Sequence, residues 1–298
     1  MDKKKYTSKD YISDEKTSSE IQDLNEQKKD LSNFNLDQAQ LENIFLVDAK
    51  MENCNFSKAN LKNASMYGAN LKGSNLFKAN LENANHKNAN LEHVNLLGAN
   101  LSGTKLENVN WGKNYKIINE LEAEKAAKNG DLKLSKQKYR EAEEIYRSIK
   151  ISMQSQTLGD ETGQFFIREM IAKRKQFNKF STARIGSKII ELTTGYGEKL
   201  SNIVFTVIGI IIACMFLYGI EGISYGDKVV GFFSDDFSPL STLGNLFYFS
   251  VVVYSTVGFG EMLPIGPIGK SVMVFEGIMG GLVLAILIIA LYKKTMDR

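Results

Sequence analysis

Between Leu36 and Trp111 the chain sets a large apolar residue at every fifth position. Leu36, Leu41, Leu46, Met51, Phe56, Leu61, Met66, Leu71, Leu76 and Leu81 hold this slot, His86 interrupts it, and Leu91, Leu96, Leu101, Leu106 and Trp111 resume it. Two residues before many of these comes an alanine (Ala39, Ala49, Ala59, Ala64, Ala69, Ala79, Ala84, Ala89, Ala99). The intervening residue is often asparagine, as at Asn60, Asn70, Asn80, Asn90 and Asn100. A period of five fits neither a helix, at about 3.6, nor a strand, at about 2. It fits a coil whose sides are each five residues long. Two inward residues per side fill the interior, and the other three face water or the corners.

A second pattern occupies the C-terminal third. Ile203 to Ile220 is 18 residues without a charge, and Ser271 to Tyr292 is 22 residues with one, Glu276. Roughly 20 apolar residues span a hydrocarbon core, so both read as membrane helices. Lys173, Arg174, Lys175, Lys179, Arg184, Lys188 and Lys199 precede the first, and Lys293, Lys294 and Arg298 follow the second. The connection from Glu221 to Lys270 holds Lys228 and Lys270 against Asp227, Asp235, Asp236 and Glu261. The positive-inside bias then puts both termini in the cytoplasm, as expected of a multi-pass protein of the plasma membrane.

Within that connection, Ser238 and Pro239 are a good helix cap and first turn. Pro239 to Tyr254 is too short to cross the bilayer, which predicts a re-entrant helix whose negative end points to the membrane centre. The chain then reads "STVGFGEMLP". Irregular backbone at that depth survives only where it is buried in protein or lines an aqueous path. Carbonyls of Thr256, Val257, Gly258 and Phe259 can line such a path if the backbone alternates in hand, which Gly258 and Gly260 permit at little cost. Val257 and Phe259 would then turn outward.

Both patterns resemble known families. The A(N/D)LXX pattern resembles the pentapeptide repeats, and the resemblance implies a right-handed, four-sided β-solenoid of about four coils. "TVGFG" is similar to the potassium-channel selectivity filter TVGYG, with Phe259 for tyrosine and Glu261 where aspartate is usual. With a span on either side, residues 200 to 292 look like a two-transmembrane potassium channel. That implies a C4 tetramer, since four sets of carbonyls replace the ion's hydration shell. Thr256 to Gly260 would be the filter binding potassium, and Glu261, Asp235 and Asp236 would form the outer mouth. Tyr248, Tyr254 and Ser255 would support the filter, with Glu261 able to bond Tyr248. Gly280 falls where related channels place a hinge glycine; Gly281, Leu284 and Ile288 would join it at the gate and cavity. Close helix packing is the other reading of these glycines. Glu276, costly within a span, is expected to have a specific partner behind the short helix and a supporting role.

The fold expected is therefore a mixed membrane protein. It has a charged N-terminal segment or cap (1–33), a solenoid (34–112), a helical connector (113–200) and a two-helix pore domain (201–298). In the connector, Tyr139, Ala142, Ile145, Tyr146 and Ile149 share a helix face, "LGDETG" reads as a turn, and a second helix completes an αα-hairpin. "RIGSKIIELTTGYGEK" is either a helix at the membrane interface, turned upward by Gly195 and Gly197, or a plain linker.

Composition narrows the function. The net charge is +3, and seven lysines balance seven acids on the repeats, so they do not imitate nucleic acid and no nucleic-acid partner is expected. Two cysteines and two histidines predict neither a disulfide framework nor a metal site. No catalytic cluster is evident, so an enzyme is not expected; no cofactor is expected either, potassium being the permeant ion. "PIGPIGKS" ends like a phosphate loop but has Pro264 where the motif needs glycine. His86, in an inward slot, is expected to keep one partner, with pH sensing as the alternative. No Arg-rich helix predicts voltage sensing, so regulation is expected through a ligand or protein acting on the cytoplasmic domain. A nonselective monovalent cation channel and a membrane-anchored repeat scaffold are the competing readings.

Overall fold

The computed structural model describes residues 3–8, 10–156 and 159–296, in two compact units that divide near residue 187. In the first, every fifth residue from Asn35 to Asn90 bridges the residue 20 positions later in parallel, as Asn35 does Asn55 and Asn90 does Asn110. Four five-residue sides thus make one coil, as the period requires. The slot residues and their alanines are buried, apart from the partly buried Ala99. The stack begins at Leu31, buried and bonded through its N–H to the Lys50 carbonyl, one repeat before Leu36.

The recurring asparagine has two jobs. Its side-chain oxygen accepts from the backbone N–H two residues on, as Asn60 does from Lys62 at 3.3 Å. Its amide reaches the asparagine one coil away, as Asn80 donates to Asn60 at 3.2 Å and Asn100 to Asn80 at 3.1 Å. Charges also pair coil to coil: Lys62 with Glu82, Lys72 with Glu92 and Lys87 with Glu107, at 2.7 to 3.0 Å.

His86 departs from expectation. It is buried in its slot, and neither ring nitrogen has a hydrogen-bond partner among the described residues. Burial alone pushes its pKa down to about 4, so the ring stays neutral well below the range where a histidine ordinarily titrates.

Both ends of the stack are closed. Helices α1 (Lys3–Thr7) and α2 (Thr17–Glu26) bury Tyr6, Ile21 and Leu24 on the first coil, with Tyr6 stacked on Phe34 at 4.9 Å. At the other end come α3 (Ile118–Lys128), α4 (Leu132–Gln154) and α5 (Gly159–Gln176). Trp111 meets Phe165 of α5 edge-on at 5.0 Å. Ser152 donates to the Leu101 carbonyl at 3.0 Å. Gln156 donates to the Thr104 carbonyl at 2.5 Å and accepts from the Leu106 N–H at 3.1 Å, replacing the next coil's backbone. Asp131 caps α4, and the face predicted from spacing is buried. The hairpin pairing is present, tied by Arg147 and Lys150 to Glu169. The predicted turn differs: Gly159 to Gly163 already belong to α5, and Thr157 and Leu158 lie outside the described residues.

The second unit holds most of α6 (Thr182–Thr194), then α7 (Leu200–Glu221), α8 (Pro239–Tyr254) and α9 (Pro267–Met296). Helices α7 and α9 are long and apolar enough to cross a membrane. They expose Phe205, Ile208, Phe216, Val274, Phe275 and Ile278, as helices apolar on all sides do when lipid is their solvent. Helix α6 is amphipathic, with Ile185, Ile189, Ile190 and Leu192 exposed. A single turn, Gly195–Gly197, follows it, with Tyr196 left-handed at φ 60°. Asn202 and Thr206 of α7 donate to the carbonyls of Leu192 and Thr193 at 3.2 and 2.7 Å.

A three-stranded antiparallel sheet was not foreseen. Its strands are β1 (Ile223–Tyr225), β2 (Lys228–Val230) and β3 (Met262–Pro264), in the order β2-β1-β3. Three-residue strands carry too little alternation to be seen in sequence. The sheet pairs the segment after α7 with the segment after Gly260, fixing where the glycine stretch ends.

Candidate functional site

The site is the segment between α8 and β3. Helix α8 starts where the sequence implies, with the Ser238 hydroxyl accepting from the Ser241 N–H at 3.4 Å and Pro239 in the first turn. At its far end the Thr256 N–H bonds the Val253 carbonyl at 3.0 Å and the Val257 N–H bonds the Val252 carbonyl at 3.2 Å. This paired closure demands a left-handed residue at Thr256, and its φ is 58°. Gly258 and Gly260 follow at 56° and 79°, whereas Val257 and Phe259 are not left-handed. The backbone therefore alternates in hand from Thr256 to Gly260, the alternation expected of the two glycines and, less expectedly, of a threonine. A β-branched residue takes that conformation at a cost, which is why sequence reasoning passed over it.

Residues Ser255 to Glu261 are exposed, Val257 at 56% and Phe259 at 67%. Glu261 accepts a 2.5 Å bond from the Tyr248 hydroxyl, so helix α8 holds the acid that follows the glycines. Asp236 accepts from the Val229 N–H at 2.8 Å and closes its own loop onto β2, while Asp235 is exposed beside it. Tyr254 is buried, its hydroxyl without a partner among the described residues.

Behind α8, Glu276 is fully buried. It accepts from the Tyr218 hydroxyl of α7 at 2.8 Å, and its other oxygen lies 2.5 Å from the Ser250 hydroxyl of α8. Cys214 of α7 lies near the same carboxyl. One acid thus joins the three helices, which is the specific partner its cost implied. Glu221 does related work at the other end: it accepts from the Gly269 N–H at 2.8 Å. A carboxylate therefore occupies the start of α9 where a phosphate loop would hold its phosphate.

Residues 220–296 match the ion-channel family model, and residues 35–73 and 74–110 match pentapeptide repeats, eight copies. The chain joins pentapeptide repeats to an ion-channel domain. Among solved structures, a pentapeptide repeat protein from the cyanobacterium Cyanothece 51142 is 43% identical (TM-score 0.29), covering 30% of this chain and 60% of that one. HetL, a pentapeptide repeat protein involved in heterocyst differentiation regulation from Nostoc sp. strain PCC 7120, is 31% identical (TM-score 0.27), covering 28% and 38%. A pentapeptide repeat protein from the Arabidopsis thaliana thylakoid lumen is 27% identical (TM-score 0.27), covering 28% and 58%. The chain thus spans less than two thirds of each of these relatives. No curated protein matches it.

In the channel domain, Gly280 packs against the end of α8. A Cβ there would clash with the Tyr254 carbonyl oxygen and lie 3.1 Å from its carbon, so α9 comes this close to the end of α8 only as glycine. Gly281 has open space around it, Leu284 is half-buried and Ile288 is exposed. Gly280 thus meets the end of α8, whereas Gly281, Leu284 and Ile288 lie further along α9.

Proposed function

We propose that the protein is a potassium-selective channel assembled from four copies around the TVGFG segment. One observation carries this reading: the alternating hand of Thr256, Val257, Gly258, Phe259 and Gly260. Successive carbonyls of an alternating backbone face the same side, and four such rows replace the water around a dehydrated cation. A single chain leaves this segment bare, which suits a part whose neighbours come from other copies. Helix α8 is then the re-entrant pore helix, its carbonyl end directed at the ion. Glu261, Asp235 and Asp236 raise the cation concentration at the outer mouth. Leu284 and Ile288 line the cavity or gate, and the repeats lie in the cytoplasm as the regulatory part. The basic flanks of α7 and α9 support that orientation, with α6 laid on the inner membrane surface.

The test is the reversal potential of the purified protein in planar bilayers under a potassium/sodium bi-ionic gradient, with Gly258→Asp as control. Reversal near the potassium limit, abolished in the control, is expected. Robust current reversing near zero would replace selectivity with general cation conduction.

A further inference from the structure

The first unit contains a cavity of about 680 Å³ walled by the end of α3, the start of α4, the end of α5 and the start of α6. Lys133, Lys136, Lys179 and Arg184 line it, and none of its lining residues is an Asp or Glu. Several cations elsewhere in the helical body sit against acids. Arg147 and Lys150 pair with Glu169, Lys138 with Glu122 and Glu141, and Arg168 with Glu120. On the cavity wall, Lys136 donates to the neutral Asn178 amide at 3.1 Å and Arg184 to the Phe177 carbonyl at 2.9 Å. The nearest acid in sequence, Asp131, is spent on the Leu134 N–H as the cap of α4. Like charges converging on a concave, partly apolar wall focus a positive potential there, and an anion of several charges relieves it.

The geometry points to a binding site for a multiply charged, phosphate-bearing ligand. The volume lies in the roughly 300–1,000 Å³ range of small-molecule sites. Tyr139 and Phe177 supply flat walls beside the cations, so a phosphate-bearing group with an apolar or aromatic part fits better than a simple inorganic ion. Two sources offer that chemistry: a soluble nucleotide and a phosphomonoester lipid headgroup. The site also has a route to the pore. Arg184 sits in the first turn of α6, and the other end of that helix leads through the Gly195–Gly197 turn into α7. A ligand held between Lys133 of α4, Lys179 before α6 and Arg184 fixes the first turn of α6 to the helical body, giving the cytoplasmic part a hold on the first span.

The test is binding by the full chain in detergent micelles, read as fluorescence anisotropy. One arm uses N-methylanthraniloyl-ADP with pyrophosphate as competitor, the other a fluorescent short-chain phosphatidic acid. Lys133→Gln/Lys179→Gln removes two exposed cations of the wall, and Lys50→Gln/Lys58→Gln removes the same charge from the solenoid. Nucleotide binding that pyrophosphate displaces, weakened about tenfold by the wall pair and under about twofold by the solenoid pair, assigns a soluble ligand. The same dependence for phosphatidic acid alone assigns a headgroup. No binding of either probe, or equal loss in both variants, overturns the site. The readout needs no ion flux, so its failure leaves conduction untouched, and a non-conducting protein can still pass it.

Discussion

Replacing Glu276 tests how the three helices of the channel domain are held. The Ser250 hydroxyl has one proton, yet it lies 2.9 Å from the Ile211 carbonyl and 2.5 Å from Glu276. A carbonyl can only accept, so Ser250 could hold both contacts at once only if the second used a proton on Glu276, and that is what the substitution tests. Tyr218 donates to the remaining oxygen at 2.8 Å. Glutamine reproduces this arrangement, its amide donating to Ser250 and its oxygen accepting from Tyr218. Glu276→Gln should therefore change stability by under about 1 kcal/mol. Glu276→Ala leaves the buried Tyr218 hydroxyl without its acceptor, at about 1–3 kcal/mol, and opens a cavity that raises the total to about 3–5 kcal/mol. At about 4 °C per kcal/mol for a unit of this size, alanine lowers the melting midpoint by about 12–20 °C and glutamine by no more than about 4 °C. Fluorescence-detected size-exclusion after graded heating reads both. Glutamine as damaging as alanine would refute the shared proton, because an ionised carboxylate would then be what holds the helices. A harmless alanine would refute the tie itself.

Other consequences are equally direct. The unfolded chain's His86 titrates near 6.5 and the folded one near 4, so protons favour unfolding as pH falls between these values. Urea unfolding followed by Trp111, the single tryptophan, should show about 2–3 kcal/mol lost from this group between pH 7 and pH 4.5, and His86→Leu should abolish that loss. Gln156→Ala strips the partners from Thr104 and Leu106 at the solenoid's end and should cost about 1–3 kcal/mol by the same fluorescence. Gly280→Ala must push α9 from Tyr254, at about 1–3 kcal/mol, and should lower the yield of assembled, conducting protein in detergent and bilayers. Tyr248→Phe frees Glu261 at little cost in stability, and potassium current should decay faster during sustained recording.

The period of five was enough to specify the solenoid, because a repeat that packs only on its neighbours writes its whole geometry into local spacing. Length and apolarity likewise marked α7 and α9, and Ser238 with Pro239 marked the start of α8, since these are properties of one segment at a time. The sequence also showed why Gly258 and Gly260 belong where they are. Tertiary structure decided what depends on segments far apart in the chain. Only pairing across 39 residues shows that β3 docks on β1, and only a fold that brings Tyr218 and Ser250 to Glu276 shows how a buried acid is satisfied. The left-handed Thr256 follows from carbonyls at the end of α8, not from its own preference. His86 could be placed in the interior from spacing, but its lack of a partner could not, because hydrogen bonds are made with whatever the neighbouring coils present. The same holds for the basic cavity: Lys133, Lys179 and Arg184 are ordinary surface residues until four helical segments bring them to one wall.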